Sequence, residues 1–163
     1  MALNKNRTKN WPAILLLVAV TWSLFACSND DDSDGPACTN TPIAFTDLEK
    51  QYGCTNTKRE MDINLNDTFV IISSQEAFNA LVTGTCTPQI DFGTYDLIIG
   101  KQFLSSGNDS IEYELVDVCD SDDILLTVTF NQNNTSEAPN LTYHLLAPKL
   151  ESPENLEVEI LIN

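Results

Sequence analysis

The sequence predicts an α+β domain, mainly antiparallel β, with about six strands in meander-like order and one short early helix. Three observations predict it. Four segments beyond residue 110 alternate apolar and polar side chains with a period of two, the mark of a strand with one wet face. Two earlier segments are unbroken β-rich apolar runs of the kind that lie well buried. One stretch between them has a helical period bounded by a serine cap and a glycine stop.

Cys38 to Met61 shows no strong period and mixes turn-formers with both signs of charge. The first apolar run follows at Thr68-Phe69-Val70-Ile71-Ile72. "SSQEAFNALVTG" then opens at Ser73, with Glu76 at capping-box distance, and Ala77, Phe78, Leu81 and Val82 share one helical face before Gly84. Tyr95 to Leu104 carries the second apolar run, Leu97-Ile98-Ile99. In "IEYELVDV", Ile111, Tyr113 and Leu115 alternate with Glu112 and Glu114, and in "ILLTVTF" Ile124, Leu126, Val128 and Phe130 lie on one side. In "LTYHLL", Leu141, Tyr143 and Leu145 share a face; near the end Val158, Ile160 and Ile162 alternate with Glu157 and Glu159. Loops rich in Ser, Asn, Asp and Gly separate these runs, and no internal repeat is present.

The first 26 of the 163 residues carry Lys5, Arg7 and Lys9 without an acidic residue, followed by an apolar run from Trp11 to Phe25. That is the make-up of a secretory signal. A membrane span needs about 20 apolar residues, and this run is shorter and contains Pro12. Leu24-Phe25-Ala26-Cys27 resembles the lipobox of bacterial lipoproteins. The resemblance implies a diacylglycerol thioether on Cys27, cleavage before it, and acylation of the new amino terminus, palmitate-type chains included. Each buried methylene contributes about 0.8 kcal/mol, so several acyl chains hold a protein on a bilayer durably. The expected organisation is a signal peptide over 1–26, an acidic tether over 27–37 and a single domain over 38–163.

Past residue 26, five lysines and arginines face all 24 acidic residues, a formal charge of −19. Such a surface repels phosphate backbones and argues against nucleic-acid binding. Five cysteines is an odd number for an exported chain. Lipidation of Cys27 leaves Cys38, Cys54, Cys86 and Cys119, for which two disulfides are expected, with three pairings open. Buried free thiols and a structural zinc site are the alternatives. The absence of any C-x-x-C pair speaks against zinc.

The tether "SNDDDSDGPA" reaches at most about 33 Å. Its Asp30, Asp32, Asp34 and Gly35 match the opening of a calcium loop, but Thr41 stands where that loop needs glutamate, so no metal is expected. The acidic run so soon after Cys27 resembles the export signal that sends Bacteroidetes lipoproteins to the outer face of the outer membrane. Ser28 is not the aspartate that signals inner-membrane retention. The expected location is therefore the outer membrane, with the domain exposed at the cell surface.

Candidate chemistry is sparse. His144 is the sole histidine and alternates with Tyr143 and Leu145, so it is expected on a surface or edge position facing away from them. No G-x-S-x-G elbow accompanies it. Glu112 and Glu114 sit about 6.6 Å apart along one strand face, within the range of an inverting glycosidase pair, but on the wet side of the strand. Asp109-Ser110-Ile111 resembles the acceptor motif of Bacteroidetes O-glycosylation, which would make Ser110 an exposed loop residue; the plain alternative is a turn leading into a strand. No cofactor motif is present.

At "QIDFGTYDLIIGKQF", with Phe69 to Leu81 before it and Leu141 to Lys149 after it, the order of elements resembles the C-terminal domain of PrcB-type lipoproteins. The family's fold is a strand and short helix followed by a β-meander, and its members are accessory subunits of a bacterial surface protease complex. The chain departs from the family at "SSGNDSIEYEL", which keeps one glycine where the family carries a Thr-Gly-Gly-Tyr-like segment. The expected function is a lipid-anchored, non-catalytic interaction or accessory domain contacting an envelope or secreted protein. The alternatives are a small-ligand or glycan binder and, behind it, a carboxylate-based hydrolase.

Overall fold

The computed structural model describes residues 37–65 and 67–163, so the signal, the lipobox with Cys27 and the tether up to residue 36 lie outside the described residues. In chain order the elements are β1 (Thr41–Pro42), α1 (Leu48–Tyr52), α2 (Thr57–Glu60), β2 (Met61–Ile63), β3 (Phe69–Ile72), α3 (Gln75–Leu81), β4 (Val82–Gly84), β5 (Tyr95–Phe103), β6 (Asn108–Asp117), β7 (Ile124–Gln132), β8 (Asn140–Pro148) and β9 (Leu156–Ile162). A 3₁₀ turn at Pro153–Asn155 leads into β9.

The domain is mostly β, as the alternating segments require, but it has nine described strands rather than about six. The three additions, β1, β2 and β4, span two or three residues each, too few to display a period. Nor is the order a meander. One sheet runs β3-β5-β8, another β1-β6-β7-β9, and β2 pairs with β4 in a small ribbon. All pairings are antiparallel except β7 with β9, which is parallel because the chain crosses from β8 in one sheet to β9 in the other.

Burial explains this arrangement. Along β8 seven consecutive positions, Leu141 to Ala147, are buried, so both faces of that strand need cover. Leu141, Tyr143, Leu145 and Ala147 pack with Ile98 of β5 against Leu115, Leu126, Val128 and Phe130 of the four-stranded sheet. On the opposite face Leu146, Leu97 and Ile99 pack against Leu48, Met61, Ile63 and Phe78 from the helices and the β2–β4 ribbon. The three-stranded sheet is thus the middle of three layers. Each fully buried Leu, Ile or Phe contributes about 1.5–3 kcal/mol to holding them together.

Local signals set the helices. α3 is capped by Ser74, whose hydroxyl accepts from the Ala77 amide at 3.2 Å, one residue later than the Ser73 of the capping-box reading. α1 starts at the Asp47 cap and stops at Gly53, whose φ of +70° suits glycine. Helices of five and four residues have no stability of their own. Leu48, fully buried, anchors the first. In β5, Gly100 lies directly opposite Tyr143, whose ring and hydroxyl fill the space that a β-carbon would need.

The cysteines pair as Cys38–Cys119 and Cys54–Cys86, each with Cα atoms 5.7 Å apart. The first joins the start of the unit Cys38–Asn163 to the turn after β6, and the second ties the α1–α2 connection to the loop after β4.

Candidate functional site

His144 corrects the sequence reading most sharply. It faces away from Tyr143 and Leu145 as alternation demands, yet it is only 4% exposed. The supposed wet side of β8 is covered by α1 and α2. Alternation gives the direction of a side chain but says nothing of what lies there.

Around it four elements converge. Glu49 projects from α1, and its Oε1 accepts from both the amide (2.7 Å) and the hydroxyl (2.8 Å) of Thr57 at the start of α2. Thr57 Oγ1 lies 2.7 Å from His144 Nε2 on β8. The Tyr113 hydroxyl, from β6 in the other sheet, accepts from the His144 amide at 3.3 Å. Thr142, one step along the same face, donates to the Met61 carbonyl at 2.7 Å.

The hydrogen positions follow from this chain of contacts. Thr57 has one hydroxyl proton, and the Glu49 carboxylate is the stronger acceptor for it. Thr57 Oγ1 therefore accepts from His144, which places the imidazole proton on Nε2. Nδ1 is left as a bare lone pair, buried and without a partner among the described residues. Burial lowers the His144 pKa to about 4, against the weaker opposing pull of Asp47 and Glu49, so the ring is neutral at ordinary pH. Burial likewise pushes the Tyr113 hydroxyl well above the usual tyrosine range and keeps it protonated.

These groups line a cleft of about 280 Å³, with Asp47, Asn56, Lys58 and Ile111 completing its walls. Its walls are mostly polar, with Ile111 and the Tyr113 ring as the apolar part. An activated nucleophile needs the base to take the hydroxyl proton; here the imidazole donates to Thr57 and the carboxylate takes the proton, the reverse order. A larger cleft of about 620 Å³ lies between Asp117, Asp122, Asp123, Lys149 and Glu151, a solvated acidic surface without a buried unpaired group of this kind.

The other sequence candidates are placed as follows. Glu112 and Glu114 are exposed on the outer face of the four-stranded sheet, where Glu112 accepts from Asn131 at 2.8 Å. Asp109 and Ser110 lie within β6 rather than in a loop, and the half-buried Ser110 accepts from Asn131 at 2.9 Å. Among the described residues one trio of potential metal donors approaches ligating distance, Cys38, Cys119 and Asp120, and the disulfide consumes two of the three. Cys27 lies outside the described residues.

Glu49 and Thr57 had no place in the sequence reading, and Tyr113 entered it only as one of the alternating apolar residues of a strand. Asp47 with Lys50 and Gly53 is a legible cap and stop for α1, and the unbroken "LTYHLLA" is a signal that His144 is covered. Nothing local marks Thr57. No protein-family model matches this chain, and no curated protein or solved structure is significantly similar to it.

Proposed function

We propose that this protein is an exported lipoprotein, cut before Cys27 and held by acyl chains at the outer membrane, whose domain acts as a non-catalytic interaction or accessory module toward an envelope or secreted protein. The observation that carries the reading is the cysteine ledger. The four cysteines of the domain are paired with one another, which suits an oxidising compartment. The one left over is Cys27, in the stretch that resembles a lipobox. The chain enters the domain at Cys38, where a disulfide would carry tension from the tether into the sheet. An accessory role toward a surface protease is the specific form that the likeness to PrcB-type lipoproteins implies.

Mass spectrometry of the amino-terminal peptide from native membranes tests the anchor. An acylated Cys27 as the first residue is expected, and Cys27→Ala moves the protein to the soluble fraction. A retained Met1 with an unmodified Cys27 thiol sinks the reading. Crosslinking on intact cells tests the role, and is expected to retrieve one reproducible protein partner.

A second reading, a small-ligand binder, is favoured by the cleft beside His144, a concavity of side-chain size with Asp47, Glu49, Thr57 and Tyr113 among its walls.

A further inference from the structure

We infer that the open edge of β9 takes up an extended segment of a partner protein as an added strand, one in which lysines or arginines alternate with aliphatic residues. The inference rests on the reading of the domain as an interaction module, and it names the surface and the chemistry of what that surface meets. β9 ends the four-stranded sheet, with β7 its one strand neighbour among the described residues. Asn163, just past its end, donates to the Phe130 carbonyl at 3.0 Å and accepts from the Gln132 amide at 2.9 Å. In a parallel pair such doubly bonded residues alternate, so Glu157, Glu159 and Leu161 turn their backbone groups to β7. Val158, Ile160 and Ile162 turn theirs to the open side.

The side chains on β9 agree. Val158 and Ile160 face the space between the sheets beside Leu126 and Val128 of β7. Those two neighbours are fully buried, yet Val158 and Ile160 are only half-buried and Ile162 is 48% exposed. The core is unfinished along this strand. An edge is ordinarily shielded by proline, a bulge, shortness or charge. β9 has seven residues, no proline and an unbroken register, which leaves charge alone.

That charge is of one sign. Glu157 and Glu159 share the outer face of the sheet with Glu112 and Glu114 of β6, and all four are exposed. The five cations among the described residues are engaged elsewhere, with Asp47, the Asp109 carbonyl, Glu137, Asp62 and Asp96. The face therefore lacks a counter-charge of its own. A second copy of the chain would bring more glutamates to it, and like charges on adjoining strands repel. A basic segment meets attraction instead. Its aliphatic residues would continue the row Val158, Ile160 and Ile162, while its backbone satisfies theirs.

Full-length, ¹⁵N-labelled protein in detergent is titrated with an octapeptide of alternating lysine and valine and with its glutamate–valine counterpart. A third probe is the lysine–valine peptide N-methylated at every valine, which keeps charge and side chains but removes the donors that would face β9. The lysine–valine peptide is expected to bind and to shift the amides of Val158, Ile160 and Ile162, and the N-methylated form to bind at least about tenfold more weakly. Glu157→Lys with Glu159→Lys turns two cross-strand attractions into repulsions. It is expected to weaken the lysine–valine peptide at least about tenfold and to admit the glutamate–valine one. Asp122→Lys with Asp123→Lys makes the same change of net charge in the larger acidic cleft and is expected to alter binding less than about threefold, because salt screens distant charges. All four positions are exposed, so neither variant removes core packing. Equal binding of the N-methylated peptide, equal losses in the two variants, shifts confined to other strands, or no peptide binding would overturn the inference. So would β9 amide shifts that grow with protein concentration alone, which assign the edge to a second copy. On intact cells a photo-crosslinking residue at position 161 is expected to capture a protein partner. Capture from position 122 but not 161 overturns the edge inference and leaves the interaction reading standing; failure of general crosslinking to retrieve any partner overturns the reading as well.

Discussion

Acidification should destabilise this domain through His144, and the size of the effect follows from the burial of one ring. The imidazole is neutral in the fold with a pKa near 4, while in the unfolded chain it returns to its ordinary 6.5. A depressed histidine pKa means that the unfolded state takes up a proton first. Stability is thus whole above about pH 6.5, is lost as the pH falls towards 4, and loses nothing further from this group below that. Linkage between those two values gives a loss on the order of 1 kcal/mol at pH 5.5 and roughly twice that at pH 4.5. The groups facing the ring are Asp47, Glu49, Tyr113 and Lys58. Urea unfolding at pH 7.5, 5.5 and 4.5, compared between the wild-type chain and His144→Gln, isolates the term, since carboxylate contributions are common to both. The wild type should lose stability over this range by about those amounts more than the variant. Equal losses in the two proteins would refute both the neutral buried ring and the tautomer built on it.

The remaining predictions concern the scaffold. Loop-closure entropy assigns about 4.5 kcal/mol to Cys38–Cys119 and about 3.7 kcal/mol to Cys54–Cys86, from separations of 81 and 32 residues. Double Cys→Ser variants should lose stability in that order by chemical denaturation, and a reversed order would show that packing of the buried Cys54 outweighs chain entropy. Gly100→Ala should cost about 1–3 kcal/mol, because the added carbon meets both the Tyr143 ring and the Thr68 carbonyl. In a Tyr143→Leu background, which removes the ring from that position, the same change should cost less in thermal melts; strict additivity would deny the ring contact. Ser74→Ala should cost about 1 kcal/mol through loss of the α3 cap, and an unchanged melting temperature would mean that the Ala77 amide is satisfied elsewhere.

How much of this was legible in the sequence divides along physical lines. Long strands with one wet face write their burial into alternation, and β6, β7 and β9 lie where the period-two segments place them. The apolar runs of β3 and β5 are as plain. Elements of two to five residues are held by their neighbours rather than by their own composition. So β1, β2, β4, α1 and α2 left no period to read, and the stretch from Cys38 to Met61 looked featureless although it builds two walls of the cleft. The capping serine was misplaced by one because Ser73 and Ser74 are adjacent and only backbone geometry separates them.

The cleft was illegible for a deeper reason. Its groups belong to α1, α2, β6 and β8, which meet only because β8 forms the outer strand of the middle layer, where helices on one face and the second sheet on the other come to the same edge. A histidine there is neither core nor surface. Its ring fills space between layers, one nitrogen is satisfied by Thr57, and the other has no partner among the described residues. An apolar residue at position 144 would fill the same gap without stranding an acceptor, so the histidine is held at a cost to the fold that the Thr57 contact only partly offsets. The polar chain from Glu49 through Thr57 to His144 holds one tautomer in place and points the carboxylate.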